Sequence, residues 1–128
     1  MLLLDTCTLL WLVADTTRFT ETGRDLIIRQ ERQTFVSAIT AFEIAIKHHK
    51  KKLRLPQPPD EWFSKVVDRH GLSVIPIDAS IAIASALLPA IHNDPCDRII
   101  IATAQKHRLK ILTPDPQIRQ YKGVEVVW

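Results

Sequence analysis

Two cysteines in 128 residues are too few for a disulfide framework and point to a reduced compartment. Glycine is nearly as rare. Gly23, Gly71 and Gly123 never cluster, so the chain has no Gly-rich loop of the kind that cradles a nucleotide phosphate. Long apolar runs are missing too, since charges interrupt each one well before the ~18 residues that a membrane span requires. The start, MLLLDTCTLLWLVAD, has no basic leader and carries an aspartate inside its apolar run, unlike a signal peptide. No repeat or low-complexity tract suggests a solenoid or a disordered tail. These absences lead us to expect one cytoplasmic globular domain with no membrane segment.

Hydrophobic residues make up 46% of the chain and charged residues 24%, enough apolar material for a single core. The formal charge of +3 is unevenly spread. KHHKKKLR at 47–54 carries Lys47, Lys50, Lys51, Lys52 and Arg54 without an acid, and outside it acids outnumber bases 14 to 12. A block of this kind suits the phosphates of RNA or DNA. It also suits the negative end of a helix dipole, and the two roles are compatible.

Short apolar runs alternate with helical patterns. MLLLD reads as a buried strand ending on Asp5, with Thr6 and Thr8 as candidate caps of the next helix. A helix over 20–32 precedes a strand at 34–37, and a further helix runs from Ile39 to about Lys52. After the proline-rich LPQPP, Asp60 is expected to cap a helix that Gly71 ends. Then come the strand SVIPI, a helix capped by Asp78, the helix PCDRIIIATAQKH, the strand KILT, a helical turn and a last strand, VEVV. The alternation predicts an α/β fold with a mainly parallel sheet and helices on both faces. Ligands of such sheets bind beyond the carboxyl ends of the strands.

Several acids fall at those ends. Asp5 lies between three leucines and Leu9, Leu10 and Trp11, where an unpaired carboxylate is costly. It is either a cap or a member of a site with a compensating cation. Asp115, in TPDP, follows a strand and is either a turn residue or a second member. Glu43 stands at the edge of a stripe formed by Ile39, Phe42 and Ile46, where it either pairs with Lys47 or faces a site. Asp94 and Asp97 occupy the N-cap and N3 positions of one helix; capping accounts well for Asp94 and less completely for Asp97. Asp15, Asp25, Asp60, Asp68 and Asp78 read as solvated or capping residues, and Cys7 and Cys96 as small buried packing residues. Clustered carboxylates suit the hard ions Mg²⁺ and Mn²⁺. Zinc is disfavoured, because His48, His49, His70, His92 and His107 have no zinc-site spacing.

Four segments in order, LLLDTCTLLWL, VSAITAFEIAIKHHKKKL, DPCDRIIIATA and ILTPDPQI, resemble PIN domains, in particular the VapC-type ribonuclease toxins of toxin–antitoxin pairs. The resemblance implies a three-layer α/β/α sandwich and Mg²⁺- or Mn²⁺-dependent cleavage of RNA. It maps the acidic site onto Asp5, Glu43, Asp97 and Asp115. His92, Asp94 and Arg98 match an HxDPxDR form found in part of the family, which leaves Asp94 as an extra ligand or only the cap. The resemblance also implies a homodimer and a cognate antitoxin that enters the active-site groove. One departure is that Pro114 and Pro116 flank Asp115, where many relatives have a basic residue before the last aspartate.

On this reading Asp5, Glu43 and Asp97 hold a first metal ion, with Asp115 assisting it or supporting a second. Thr6 and Thr113 hydrogen-bond ligating carboxylates or water. Lys47, Lys50, Lys51, Lys52, Arg54 and Arg98 grip RNA phosphates. Two rivals remain at this stage. A non-catalytic RNA- or partner-binding module needs the basic block and not the acids. A phosphoacceptor receiver needs adjacent acids after the first strand and a lysine after a late one, where this chain has Asp5-Thr6 and Thr113-Pro114.

Overall fold

Leu2, Leu3 and Leu4 form strand β1 (Leu2–Leu4), and all three are buried, as befits a strand covered on both faces. The computed structural model describes residues 1–128. After β1 come α1 (Thr6–Ala14), a 3₁₀ turn (Thr16–Arg18), α2 (Glu21–Arg29), β2 (Thr34–Ser37), α3 (Ala38–His49) and α4 (Pro59–Arg69). The chain continues through β3 (Ser73–Ile75), α5 (Ala79–Ala86), α6 (Pro95–His107), β4 (Lys110–Leu112), α7 (Pro116–Arg119) and β5 (Val126–Val127).

The five strands lie in the order β3-β2-β1-β4-β5, every pair parallel. From β1 the chain moves outward through β2 to β3, then crosses back to place β4 on the other side of β1. The order reverses between β1 and β4, so their carboxyl ends open a crevice. Alternation along each strand builds two cores. Leu3 and Ile111 pack with Ile100, Ile101 and Ile118 on one face, while Leu4, Val36 and Leu112 pack with Leu9, Ile44 and Trp62 on the other. The result is a three-layer α/β/α sandwich.

Capping brings acids to the crevice. Asp5, Asp94 and Asp115 are the N-caps of α1, α6 and α7, each accepting a hydrogen bond from a backbone N–H of its helix's first turn. Asp5 comes directly after β1, and Asp115 lies three residues past the end of the neighbouring β4. The sequence reading needs four local corrections. Asp5, and neither Thr6 nor Thr8, caps α1. Asp60 does not cap α4, because Pro59 takes the first helical position and Pro58 the N-cap. Helix α3 stops at His49 rather than near Lys52: Lys51 turns left-handed with φ 60°, and Lys52 N–H closes back onto Lys47 C=O at 2.8 Å. Its inward face is also rotated from the expected stripe, since Ile39, Thr40 and Ile44 are buried while Phe42 is 58% exposed. That rotation carries Glu43 further inward.

The two cores lie on opposite faces of the sheet, so damage to one is expected to leave the other intact. Ile44→Ala and Ile100→Ala should each cost about 2–5 kcal/mol. In urea denaturation their double variant should lose the sum to within about 0.5 kcal/mol.

Candidate metal centre

Asp5 is 4% exposed, and every bond it makes is to a neutral donor. Its Oδ1 accepts from the Thr8 N–H at 2.8 Å and from the Thr8 hydroxyl at 2.8 Å. Its Oδ2 accepts from the Thr113 hydroxyl at 2.5 Å. Thr113 in turn accepts from the Asp115 N–H at 3.1 Å, which ties the turn after β4 to the end of β1. Burial pushes the Asp5 carboxyl above its ordinary range, outweighing these hydrogen bonds, and the nearby Asp115 charge adds to the rise.

Helix α3 delivers Glu43 to the same place. One oxygen, Oε2, lies 3.4 Å from Lys47 Nζ, while Oε1 is buried with no hydrogen-bond partner. Glu43 thus pairs with Lys47 and also lines the crevice. From α6, Asp94 spends Oδ1 on the N–H groups of Cys96 and Asp97 at 2.9 and 3.1 Å. Asp97 lies one turn further in, with Oδ2 3.2 Å from His92 Nε2. The Asp97 carboxyl is pushed up to about 6, chiefly by desolvation and next by the Asp94 charge, against the lowering effect of His92.

These side chains line one cleft of about 470 Å³, in which Asp5, Glu43, Asp94, Asp97 and Asp115 face a single cation, Lys47. A larger groove of about 690 Å³ between α3 and α4 is lined by Phe42, Phe63 and Val74, but it lacks a cluster of acids. The donor set of the acidic cleft fits a hard divalent cation. It offers oxygen ligands, it holds a buried carboxylate oxygen with no donor, and burial raises the pKa of two of its carboxyls, a shift that nearby positive charge would oppose. No three His, Cys, Asp or Glu side chains lie close enough together to hold an ion as they stand.

Other expected site residues lie elsewhere or act differently. Thr6 lines the cleft, yet its hydroxyl donates to Thr40 Oγ1 at 3.3 Å and to no carboxylate. Arg98 is not available to phosphates: its guanidinium donates to the carbonyls of Leu88 and Pro89 at 2.7 Å each and to Tyr121 Oη at 3.2 Å. It fastens the segment before α6 to the helix. Lys50, Lys51, Lys52 and Arg54 are exposed around the end of α3 and lie outside the cleft lining, which only Lys47 joins. Cys7 is exposed rather than buried, among the residues that line the acidic cleft. Burial and the Asp5 charge push its thiol up, and the Cys96 thiol rises to about 11, so neither is a ready nucleophile. The sequence reading gave Thr8 only as a candidate cap, not as a partner of Asp5, and missed Tyr121. An Asp-x-x-Thr spacing at a helix start signals the first, whereas no local pattern signals the second.

The raised Asp97 pKa fixes a sign. Between about pH 4 and pH 6 the folded chain holds a proton that the unfolded chain releases, so stability falls as pH rises across that window. Asp97→Asn should therefore raise stability at pH 7.5 without divalent cations, by about 1 kcal/mol or several degrees in Tm. Thermal melts at pH 4 should show little or no gain.

The sequence matches the PIN domain family over residues 2–124. Among curated proteins it is similar to Ribonuclease VapC22 of Mycobacterium tuberculosis, at 27% identity over 121 residues, which cover 94% of this chain and 91% of that protein. A chain of a toxin–antitoxin complex from Klebsiella pneumoniae is 25% identical with a TM-score of 0.67, covering 100% of this chain and 97% of its own. A chain of the DNA-bound VapBC structure from Salmonella typhimurium superimposes with a TM-score of 0.73 at 19% identity, covering 98% of this chain and 96% of its own. Parallel sheet, crevice and sequence match agree, and the chain belongs to the PIN domain family.

Proposed function

We propose that this protein is an endoribonuclease that hydrolyses RNA phosphodiesters with Mg²⁺ or Mn²⁺ held by Asp5, Glu43, Asp97 and Asp115, and that it is the toxin of a toxin–antitoxin pair. The observation that carries this reading is the acidic cleft, with four carboxylates drawn from four separate segments and one buried Glu43 oxygen lacking any donor. The PIN family match and the similarity to a protein named as a ribonuclease support the reaction class. The similarity to chains of toxin–antitoxin complexes supports a cognate antitoxin as partner. A homodimer belongs to the same proposal.

Held by Asp5, Glu43, Asp97 and Asp115, a divalent ion would supply the acidification of water and the charge that offsets the phosphate oxygens. The protein's own groups do the rest. Thr8 and Thr113 fix both oxygens of Asp5, and α6 presents Asp97 beside Asp94. Asp94 caps that helix with Oδ1 and also lines the cleft, which leaves it available as a further ligand. Lys47 offsets the Glu43 charge and stands where a scissile phosphate would approach. Lys50, Lys51, Lys52 and Arg54 extend positive charge beyond the cleft and suit the flanking phosphates. No cysteine supplies a thiolate, consistent with water as the nucleophile.

Purified protein should cleave RNA with Mn²⁺ or Mg²⁺, lose cleavage in EDTA and recover it when the metal is restored. Asp5→Asn and Asp97→Asn should each lower cleavage at least ~100-fold while retaining native circular dichroism. Normal cleavage by D97N overturns the site. Salt-sensitive RNA binding that ignores EDTA, with no cleavage, favours the non-catalytic binding module.

A further inference from the structure

A chain of polar contacts runs inward from α6 to the cleft. Arg98 Nη1 lies 3.2 Å from Tyr121 Oη, Tyr121 Oη lies 2.7 Å from His92 Nδ1, and His92 Nε2 lies 3.2 Å from Asp97 Oδ2. The members come from the segment before α6, from α6 itself and from the segment after α7. The His92 side chain is 5% exposed, so solvent does not stand in for its partners. Packing reinforces the contact: the His92 and Tyr121 rings meet edge-on with centroids 5.4 Å apart.

The donor inventory gives this chain a direction. Arg98 has donors only, so Tyr121 Oη accepts from it and turns its own hydrogen to His92 Nδ1. Nδ1 then accepts, which leaves the ring proton of the neutral imidazole on Nε2. An ionised Asp97 accepts that proton's hydrogen bond at Oδ2. Each link donates toward the carboxylate. Arg98 is further held by the carbonyls of Leu88 and Pro89, which anchors the far end of the relay to backbone.

We infer that Arg98, Tyr121 and His92 form a directional hydrogen-bond relay that selects the Nε2–H tautomer of His92 and holds Asp97 with Oδ2 tethered and its other oxygen turned to the cleft. His92 and Tyr121 are positioning residues, because they act through Asp97 and neither is among the acids that face the ion. A ligand oriented by an outer partner binds metal more tightly than one free to rotate. The inference rests on the proposed role of Asp97 as a ligand.

Two measurements test it without relying on RNA cleavage. Nitrogen-15 NMR of the His92 ring at pH 7.5 should show a protonated Nε2 and a bare Nδ1; a protonated Nδ1 overturns the relay. Calorimetric titration with Mn²⁺ should then compare D97N, H92L, H92Q and Y121F, each first checked for a native melt. In H92Q the glutamine amide nitrogen can reach the place of Nε2 and donate to Asp97. In H92L the leucine fills the volume and donates nothing. H92L should bind Mn²⁺ about 10-fold or more weakly, Y121F should fall between it and wild type, and H92Q should stay within about threefold of wild type. If D97N loses binding but H92L does not, or if H92Q is as weak as H92L, the relay is overturned and the ligand reading stands. If D97N binds as well as wild type, the ligand reading itself falls and takes the relay's purpose with it.

Discussion

Concentrating carboxylates in a partly desolvated crevice is the constraint around which this structure is organised. Asp5 sits at the end of the most deeply buried strand and Asp97 at the mouth of a helix beside a second aspartate, and both resist ionisation because burial outweighs their hydrogen bonds. Like charges this close repel, and the single lysine in the cleft is already engaged with Glu43. The arrangement is costly in an isolated chain, and on the proposed reading a small, highly charged cation offsets that cost. Local stability is given up at the site and recovered in two apolar layers that flank the sheet.

The fold manages that cost with ordinary devices. Helix caps are acceptor groups, and helix N-termini favour negative charge, so Asp5, Asp94 and Asp115 each have a structural reason to be where they are. Capping therefore leaves these carboxylates lining the cleft, where the proposed metal role falls on the same residues. Asp5 uses one oxygen for its helix and the other for Thr113, 108 residues away. That long-range hydroxyl links β1 to the turn after β4 and fixes the crevice at the point where strand order reverses.

Much of this was legible in the sequence, because the relevant signals are local. LLLD, TFVS and KIL announce buried parallel strands by composition, and an acid after such a strand falls at the carboxyl edge of the sheet. The parts that were not legible depend on rotation or distance. Ile39, Phe42 and Ile46 make a convincing stripe, yet α3 packs on Ile39, Thr40 and Ile44, since contacts with both neighbouring layers set the helix's rotation about its axis. Arg98 looked like a phosphate ligand because its charge is visible in the sequence while the carbonyls it serves are not. Tyr121 lies 29 residues from the histidine it touches, and only the assembled fold brings them together.

Anomalous diffraction from crystals equilibrated with Mn²⁺ at pH 7.5 would locate the ion without reference to activity. The expected result is a manganese peak in the acidic cleft, within coordinating distance of Asp5 and Asp97 and close to the unpartnered oxygen of Glu43. A well-ordered cleft with no such peak at saturating Mn²⁺, or a peak only at acids outside it, would contradict a metal-centred site in this fold.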